Sequence, residues 1–211
     1  MQTRKRKPDF VDAPLKTGIT GGMGSGKTTA CQIFEALGIP VYYSDERAKF
    51  LMITDESVRH KVISLFGPDS YKQDGALNRL MIAEIVFQDS GMLKKLNDIV
   101  HPAVLKDGEE WHSLQRGVPY TIKEAALLFE SGSHKNLDKI IVITAPLELR
   151  IERVLKRDHI SRKAVKARME KQLPDEEKIR QADFVIVNDG SMSLVQQVWR
   201  IHQEILKLRR A

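Results

Sequence analysis

The sequence Gly21-Gly22-Met23-Gly24-Ser25-Gly26-Lys27-Thr28 predicts a phosphate-binding loop. It satisfies the pattern G-x-x-x-x-G-K-[S/T], in which glycines let backbone N–H groups curl around an anion and the lysine supplies a point charge. An apolar stretch, residues 15–20, precedes this loop, and a helical pattern begins at Lys27. A glycine-rich turn that only caps a helix is the alternative, but a strand before the loop and a helix after it favour nucleotide binding.

Strands and helices are predicted to alternate along the chain. Besides 15–20, strands are predicted at 39–43, within 120–128, at 139–144 and at 184–187. Helices are predicted from Lys27 to about 37, at 147–156, 162–173 and 194–209, and as several pieces between 45 and 112 with breaks at 67–75, 89–91 and Pro102. This order predicts an α/β P-loop NTPase fold, with a five-stranded parallel sheet flanked by helices and ligands at the carboxyl ends of the strands.

Composition limits the class of protein. The 211 residues include 34 basic and 28 acidic side chains, a formal net charge of +6, and Cys31 is the single cysteine. An intrachain disulfide and a cysteine-based zinc site are therefore excluded, and no apolar run approaches the roughly 18 residues of a membrane span. The basic N-terminus is not followed by an apolar stretch, so it does not match a secretory signal. A soluble, cytoplasmic protein with a disordered basic leader over residues 1–14 is the resulting expectation.

The positive charge is compatible with a nucleic acid, a membrane surface or a phosphate-rich small molecule. Aromatic residues make up only 6% of the sequence and are not interleaved with the basic ones, as they would be in a single-strand binder. No N-K-x-D segment is present to read guanine, and the chain is too short for a motor or a helicase. A small-molecule kinase fits best. A nucleoside kinase, or a non-catalytic nucleotide-binding regulator that contacts nucleic acid, are the alternatives.

Asp45 is the leading candidate for the residue that acts on a phosphate acceptor. It follows the predicted second strand, so it is expected at the same edge of the sheet as the phosphate loop (residues 21–28). A carboxylate there could accept or orient the proton of a substrate hydroxyl. Ser44 or Asp45 could instead cap the next helix, and the spacing leaves both roles open.

Arg150, Arg153 and Arg157 are spaced three and four residues apart and are predicted to share one helix face. Guanidinium groups suit the charge that spreads over the oxygens of a transferring phosphoryl group. An ordinary solvated face is the alternative, and Glu152 and Lys156 nearby favour it when spacing alone is considered.

An ordered set of segments resembles the dephospho-CoA kinase family. Beyond the phosphate loop, it includes Asp74-Gly75-Ala76-Leu77-Asn78-Arg79 and Leu127-Leu128-Phe129-Glu130. The remaining segments are Leu37-Gly38, the strand that ends in Asp45, Val100-His101-Pro102, residues 153–158, Gln172 and residues 182–190. The phosphate loop is shared with many kinases, whereas the whole set, from about residue 15 to the C-terminal helix, is specific.

The resemblance implies a kinase that uses ATP and Mg²⁺ to phosphorylate the ribose 3′-hydroxyl of dephospho-CoA, the last step of coenzyme A synthesis. It implies one kinase domain over residues 15–211, with an acceptor-binding helical insertion at about 45–117 and a lid at about 150–175. Asp45 matches the expected base, and Arg153 and Arg157 match lid arginines that fold over ATP. The expected partners are these small molecules, with no nucleic acid or membrane, and the expected assembly is a monomer or weak homo-oligomer.

The candidate site residues fall into three groups. The ATP-binding candidates are Gly22, Gly24, Ser25, Gly26, Lys27, Thr28, Thr29, Arg153 and Arg157, with Thr28 as the magnesium ligand. The catalytic candidates are Asp45, Lys27 and Arg153. The substrate-binding candidates are Asp45, Arg79, His101 and Glu130.

The last three of these have structural alternatives. Arg79 could bind an acceptor phosphate, or it could cap a helix and lay its stem on the surface. His101 could be a buried histidine that organises a helix break before Pro102. Glu130 could orient the metal or its waters where a Walker B acid lies, or it could cap the next turn.

Three positions depart from the family pattern. Tyr43 stands two residues before the expected base, where the family usually has an acid. Ala126 replaces a usual proline, with Glu124 representing the acid that precedes it. Lys49 replaces an arginine, so it keeps the charge without bidentate reach. These departures affect the predicted geometry of metal and acceptor binding and leave the reaction class unchanged.

Overall fold

The computed structural model describes residues 13–209, so all but the last two residues of the predicted leader lie outside the described part. The chain divides into two compact units. Among the described residues, the sheet unit comprises 13–42 and 111–209, and the helical unit comprises Tyr43–Glu110.

Five strands form one sheet. They are β1 (Leu15–Gly21), β2 (Val41–Tyr43), β3 (Tyr120–Glu124), β4 (Lys139–Thr144) and β5 (Phe184–Val187), in the spatial order β2-β3-β1-β4-β5. β1 is parallel to β3 and to β4, and β4 is parallel to β5. The predicted α/β fold with a five-stranded parallel sheet is confirmed.

Nine helices are described among residues 13–209: α1 (Lys27–Ala36), α2 (Ser44–Thr54), α3 (Glu56–Phe66), α4 (Arg79–Gln88), α5 (Ser90–Ser113), α6 (Leu147–Asp158), α7 (Arg162–Met169), α8 (Asp175–Arg180) and α9 (Leu194–Leu208). Short 3₁₀ turns lie at Pro68–Ser70 and Ser133–Asn136. None of the described helices has both the length and the apolar character that crossing a bilayer requires.

The predicted helix break at Pro102 is wrong, because α5 continues through it from Ser90 to Ser113. Val100 and Val104, on either side of the proline, are buried, whereas His101 and Pro102 are exposed. A proline inside a helix costs about 3 kcal/mol, and burial of the neighbouring valines offsets that cost. Since His101 is exposed within a continuous helix, its interpretation as a buried histidine at a bend is also wrong.

The segment that follows α6 also differs from the prediction. The helix predicted over 162–173 ends at Met169, and α8 begins separately at Asp175. Pro174 precedes α8 and three acidic residues, Asp175–Glu177, fill its first turn, which is a recognisable helix-start signal.

The sheet is buried on both faces, as a parallel sheet flanked by helices requires. Ile141, Val142 and Ile143 of β4 are fully buried, which explains their uninterrupted apolar run. In the helical unit, a separate core contains Val58, Val62, Phe66, Tyr71, Leu77 and Ile82.

One buried polar pair joins β3 to α9. The Tyr120 hydroxyl lies 2.7 Å from Nδ1 of His202. Burial raises the pKa of Tyr120 and lowers the pKa of His202. Tyr120 therefore stays protonated, and its hydroxyl donates a hydrogen bond to Nδ1 of a neutral imidazole.

This pair predicts a pH-dependent stability. The folded pKa of His202 lies below its ordinary value of 6.5, so the unfolded chain binds a proton that the folded chain does not. The free energy of unfolding should fall as the pH drops from 6.5 toward the folded pKa, by at most about 1.4 kcal/mol per pH unit for one proton. Urea unfolding of His202→Gln between about pH 8 and pH 5 should show a shallower pH dependence than wild type. An unchanged slope would contradict this account.

Candidate functional site

The phosphate loop lies between β1 and α1 and depends on two glycines with positive φ. Gly24 has φ 79° and Gly26 has φ 99°, values that glycine adopts without strain. A β-carbon on Gly24 would overlap the carbonyl oxygen of Arg150, and one on Gly26 would overlap the side-chain amide of Asn188. Glycine is therefore required here both for backbone conformation and for space.

Hydrogen bonds to the rest of the sheet unit hold the loop in place. The Met23 N–H donates to Oε1 of Gln172 at 2.9 Å, and the Ser25 N–H donates to the Gly22 carbonyl at 3.1 Å. Asn188 Nδ2 donates to the Ser25 carbonyl at 2.8 Å. The Met23 and Ser25 N–H groups therefore already have protein acceptors. Ser25 is one of the predicted ATP-binding residues, and that role stays a prediction.

The N-terminus of α1 supplies the remaining features of an anion site. The first N–H groups of an α-helix have no acceptor within the helix, and Gly26, the N-cap of α1, has no side chain that could accept from them. The Lys27 ammonium donates to the Gly21 carbonyl at 3.0 Å, which keeps it folded over the loop. Thr28 and Thr29, in the first turn, are exposed. The positive end of the helix and the lysine together favour a bound phosphate.

The three arginines of α6 have different surroundings. Arg153 donates to the carbonyls of Asn188 at 3.0 Å and Gly24 at 3.4 Å. Arg150 packs against Gly22 and pairs with Asp175 at 3.5 Å, with both side chains only 12% exposed. The solvated-face alternative is therefore wrong for these two residues.

Arg157 is the member of this series that faces solvent. Its side chain is 64% exposed, and Nε lies 2.6 Å from Oδ1 of Asp158. The hydrogen bond between them raises the pKa of Arg157 and lowers the pKa of Asp158. The structure brings Arg153 to the phosphate loop and leaves Arg157 on its neighbouring aspartate.

Two acidic residues, Glu124 and Glu130, lie in β3 and in the turns that follow it. Glu124 is the last residue of β3, is 7% exposed, and is in register with Ile19 of β1. Glu130 lies six residues further on, within turns, because the strand does not extend to Leu128. Glu124 therefore places a carboxylate at the end of a strand that pairs with β1. The sequence analysis selects Glu130 as the candidate Walker B acid, whereas Glu124 is the acid that ends β3 itself.

Glu130 contacts the segment between α7 and α8. Its Oε1 accepts a hydrogen bond from the Leu173 N–H at 2.8 Å and lies 3.7 Å from Nζ of Lys178. Lys178 is fully buried, and this burial lowers the pKa of its ammonium, although the charge of Glu130 opposes the shift. Glu130 thus connects the turns after β3 to the segment around α8.

Within residues 13–209, no cluster of three or more His, Cys, Asp or Glu side chains could hold a metal by itself. Thr28 and Glu124 offer the oxygen ligands that magnesium prefers. Magnesium bound with a nucleotide commonly uses one or two protein ligands besides phosphates and waters. These residue types fit such an ion.

Cys31 lies in the first turns of α1 and is buried. Burial raises the pKa of its thiol, and the charge of Glu124 adds to the effect. The thiol is therefore protonated and packs as a small apolar side chain.

The helical unit carries the remaining candidates. Asp45 lies in the first turn of α2, is exposed, and is the second residue after β2. Tyr43 occupies the N-cap position of α2 without a side-chain capping bond, so the alternative in which Ser44 or Asp45 caps this helix is wrong.

Arg79 and His101 are both exposed. Arg79 is the first residue of α4, and its neighbour Asn78 caps that helix by accepting from the Met81 N–H at 3.4 Å. A capping role for Arg79 is therefore wrong.

Comparison with known proteins identifies related sequences and structures. A family model described as dephospho-CoA kinase matches residues 15–193. A dephospho-CoA kinase of Bacteroides fragilis is 39% identical over 184 residues, covering 87% of this chain and 89% of that protein. A crystal structure from Thermus thermophilus has a TM-score of 0.82 at 34% identity and covers 92% of this chain and 99% of its own. A dephospho-CoA kinase of Campylobacter jejuni has a TM-score of 0.68 at 32% identity, covering 91% and 97%.

The loop geometry predicts unequal effects for two glycine substitutions. Gly26→Ala should weaken ATP binding by about 100-fold or more, because the shifted loop would lose hydrogen bonds to a charged phosphate. Gly38→Ala is the matched control: Gly38 also has positive φ, at 83°, but a β-carbon there meets nothing within 4 Å. It should cost about 1–2 kcal/mol of stability and leave ATP affinity unchanged. Titration calorimetry with ATP measures both, and equal affinities would contradict the assignment.

Proposed function

This chain belongs to the dephospho-CoA kinase family, and on that basis we propose how its residues carry the reaction. The enzyme transfers the γ-phosphoryl group of ATP to the ribose 3′-hydroxyl of dephospho-CoA, giving coenzyme A and ADP in the last step of coenzyme A biosynthesis. The observation that supports the residue roles is the phosphate loop, in which two glycines of positive φ, Lys27 and the start of α1 converge.

ATP binding rests on the phosphate loop and on Arg153. The N-terminal N–H groups of α1 and the Lys27 ammonium attract the β- and γ-phosphates. Arg153 already contacts the loop carbonyl of Gly24, so its guanidinium is close to the position where negative charge accumulates during transfer. Arg157 can bind ATP only after its ion pair with Asp158 breaks. Movement of the lid, residues 150–175, would break that pair and bring the guanidinium to the phosphates.

Acceptor activation belongs to Asp45. Asp45 is exposed, is the second residue after β2, and does not cap α2, so its carboxylate is available to orient the 3′-hydroxyl or accept its proton. Arg79 and His101 are exposed on the same helical unit, where cationic or polar side chains suit the phosphates of the acceptor. The helical insertion is thus the acceptor-binding part of the enzyme.

Magnesium is the divalent ion that the residues near the loop fit. The Thr28 hydroxyl would bind it directly, and Glu124 would bind it or hold one of its waters. When bound there, such an ion would supply positive charge to the phosphates of ATP. Glu124 takes this role in place of Glu130, because Glu130 is engaged by Lys178 and the Leu173 N–H.

The enzyme acts on these small molecules in the cytoplasm, as a monomer or weak homo-oligomer.

A direct assay tests the function. The purified protein is incubated with ATP, Mg²⁺ and dephospho-CoA, and ADP release is followed, with nucleosides as control acceptors. Turnover should depend on dephospho-CoA, and the product should carry phosphate on the ribose 3′ oxygen. Turnover with nucleosides alone would indicate a nucleoside kinase instead.

Asp45→Asn should lower kcat by about 10²–10⁴, the range typical of losing a general base. ATP affinity should change little, since the phosphate loop is intact. Glu46→Gln is the matched control, because Glu46 is an exposed acid in the same turn of α2. Steady-state kinetics with ATP and dephospho-CoA varied separately give both parameters. A wild-type kcat in Asp45→Asn would show that another group handles the proton.

A second pair of variants distinguishes the role of Glu124 from that of Glu130. Glu124→Gln should raise the Mg²⁺ concentration needed for half-maximal rate and lower kcat by about 10-fold or more. Glu130→Gln should instead lower Tm, because it leaves the buried Lys178 ammonium without its ion-pair partner. Magnesium titrations and thermal melts of both variants distinguish the roles, and the reverse pattern would restore Glu130 as the metal-site acid.

A further inference from the structure

The phosphate loop is attached to the helices that follow β4 through one of its own residues. The Met23 side chain packs against the buried cluster of Ile151 and Val154 from α6 and Val165 from α7. A residue in the middle of an anion-binding loop is thus part of a hydrophobic core built by two other helices.

The backbone of Met23 is held by the segment that follows α7. Its N–H donates to Oε1 of Gln172 at 2.9 Å, while Nε2 of the same side chain donates to the Ala126 carbonyl at 3.3 Å. Gln172 therefore bridges the loop after β1 and the turn after β3. Met169, three residues before it, packs on the same α6–α7 cluster.

Buried charges keep this segment in position. Asp175, three residues after Gln172, accepts from the Thr144 hydroxyl at 2.7 Å and pairs with Arg150, whose guanidinium covers Gly22. Glu130 pairs with Lys178 in the last turn of α8 and accepts from the Leu173 N–H ahead of that helix. Buried ion pairs hold fixed geometries, since separating them leaves an uncompensated charge.

We propose that Gln172 and the α6–α7 cluster are positioning elements for ATP binding, acting through Met23. They set the conformation of the phosphate loop, so the packing of α6 and α7 determines how well the loop N–H groups fit a phosphate. Gln172 and Val165 act on the nucleotide only through Met23. The proposal rests on the phosphate loop being the ATP site, as proposed above.

The test compares ATP affinity with stability. Gln172→Met keeps the length of the side chain but removes both hydrogen bonds, and it should raise the Kd for ATP about tenfold. Val165→Ala opens the α6–α7 cluster at a fully buried position and should raise the same Kd several-fold. Under saturating ATP, both variants should keep kcat within about threefold of wild type.

Val62→Ala is the control. Val62 is also fully buried in a helix, in the core of the helical unit, so its truncation should lower Tm to a similar degree. Its Kd for ATP, measured without acceptor, should stay within about twofold of wild type. Hydrogen exchange at the Met23 amide gives an independent measurement: exchange should be faster in Gln172→Met and unchanged in Val62→Ala.

The outcomes are distinguishable. If Gln172→Met and Val165→Ala bind ATP as wild type does, the positioning role is wrong. If Val62→Ala weakens binding equally, the effect is one of general stability, and the proposal also fails. Absence of ATP binding by the wild-type protein would instead overturn the proposed function of the loop.

Discussion

Binding a highly charged phosphate without a matching number of cationic side chains requires backbone N–H groups that point to one place. In this protein the short turn from β1 into α1 provides such N–H groups. Gly24 and Gly26 of this turn have positive φ. Gly24 lies against Arg150, and Gly26 lies against Asn188. The sheet places this turn at its carboxyl edge, and α1 directs its positive end toward it. The sheet order, with β1 in the centre, surrounds the loop with the ends of β3 and β4.

The surroundings of the loop show how a small domain fixes a glycine-rich segment. Glycines raise the conformational entropy of the unfolded chain, so such a turn needs external contacts to keep one shape. Asn188, Arg153 and Gln172 supply those contacts from residues distant in sequence, each bonding a backbone group of the loop. The loop is consequently preorganised before any nucleotide arrives, which reduces the ordering cost of binding.

The sequence predicted those features that depend on local patterns. The apolar run of β4 and the glycine spacing of the loop are local, and both the sheet and the start of α1 at Lys27 agree with them. The Pro102 break failed because burial of Val100 and Val104 outweighs the local penalty of a proline. Tertiary packing of this kind leaves no signature in a short window of sequence.

The site residues show the same division. The position of Asp45 just after β2 could be predicted from strand order, but the different surroundings of Arg153 and Arg157 could not. Both arginines lie on α6, but Arg153 donates to the carbonyls of Asn188 and Gly24, whereas Arg157 pairs with Asp158. Similarly, the selection of Glu130 over Glu124 depended on where β3 ends, and strand ends are poorly fixed by propensity alone.

The single sulfhydryl group offers a practical consequence. Cys31 is 0% exposed, and burial raises the pKa of its thiol. Alkylating reagents react with thiolates, so folded molecules resist them. Reaction then requires α1 to detach from the sheet. The rate at which Cys31 is alkylated therefore measures how often the sheet unit opens around α1, and mass spectrometry can follow it without an introduced probe.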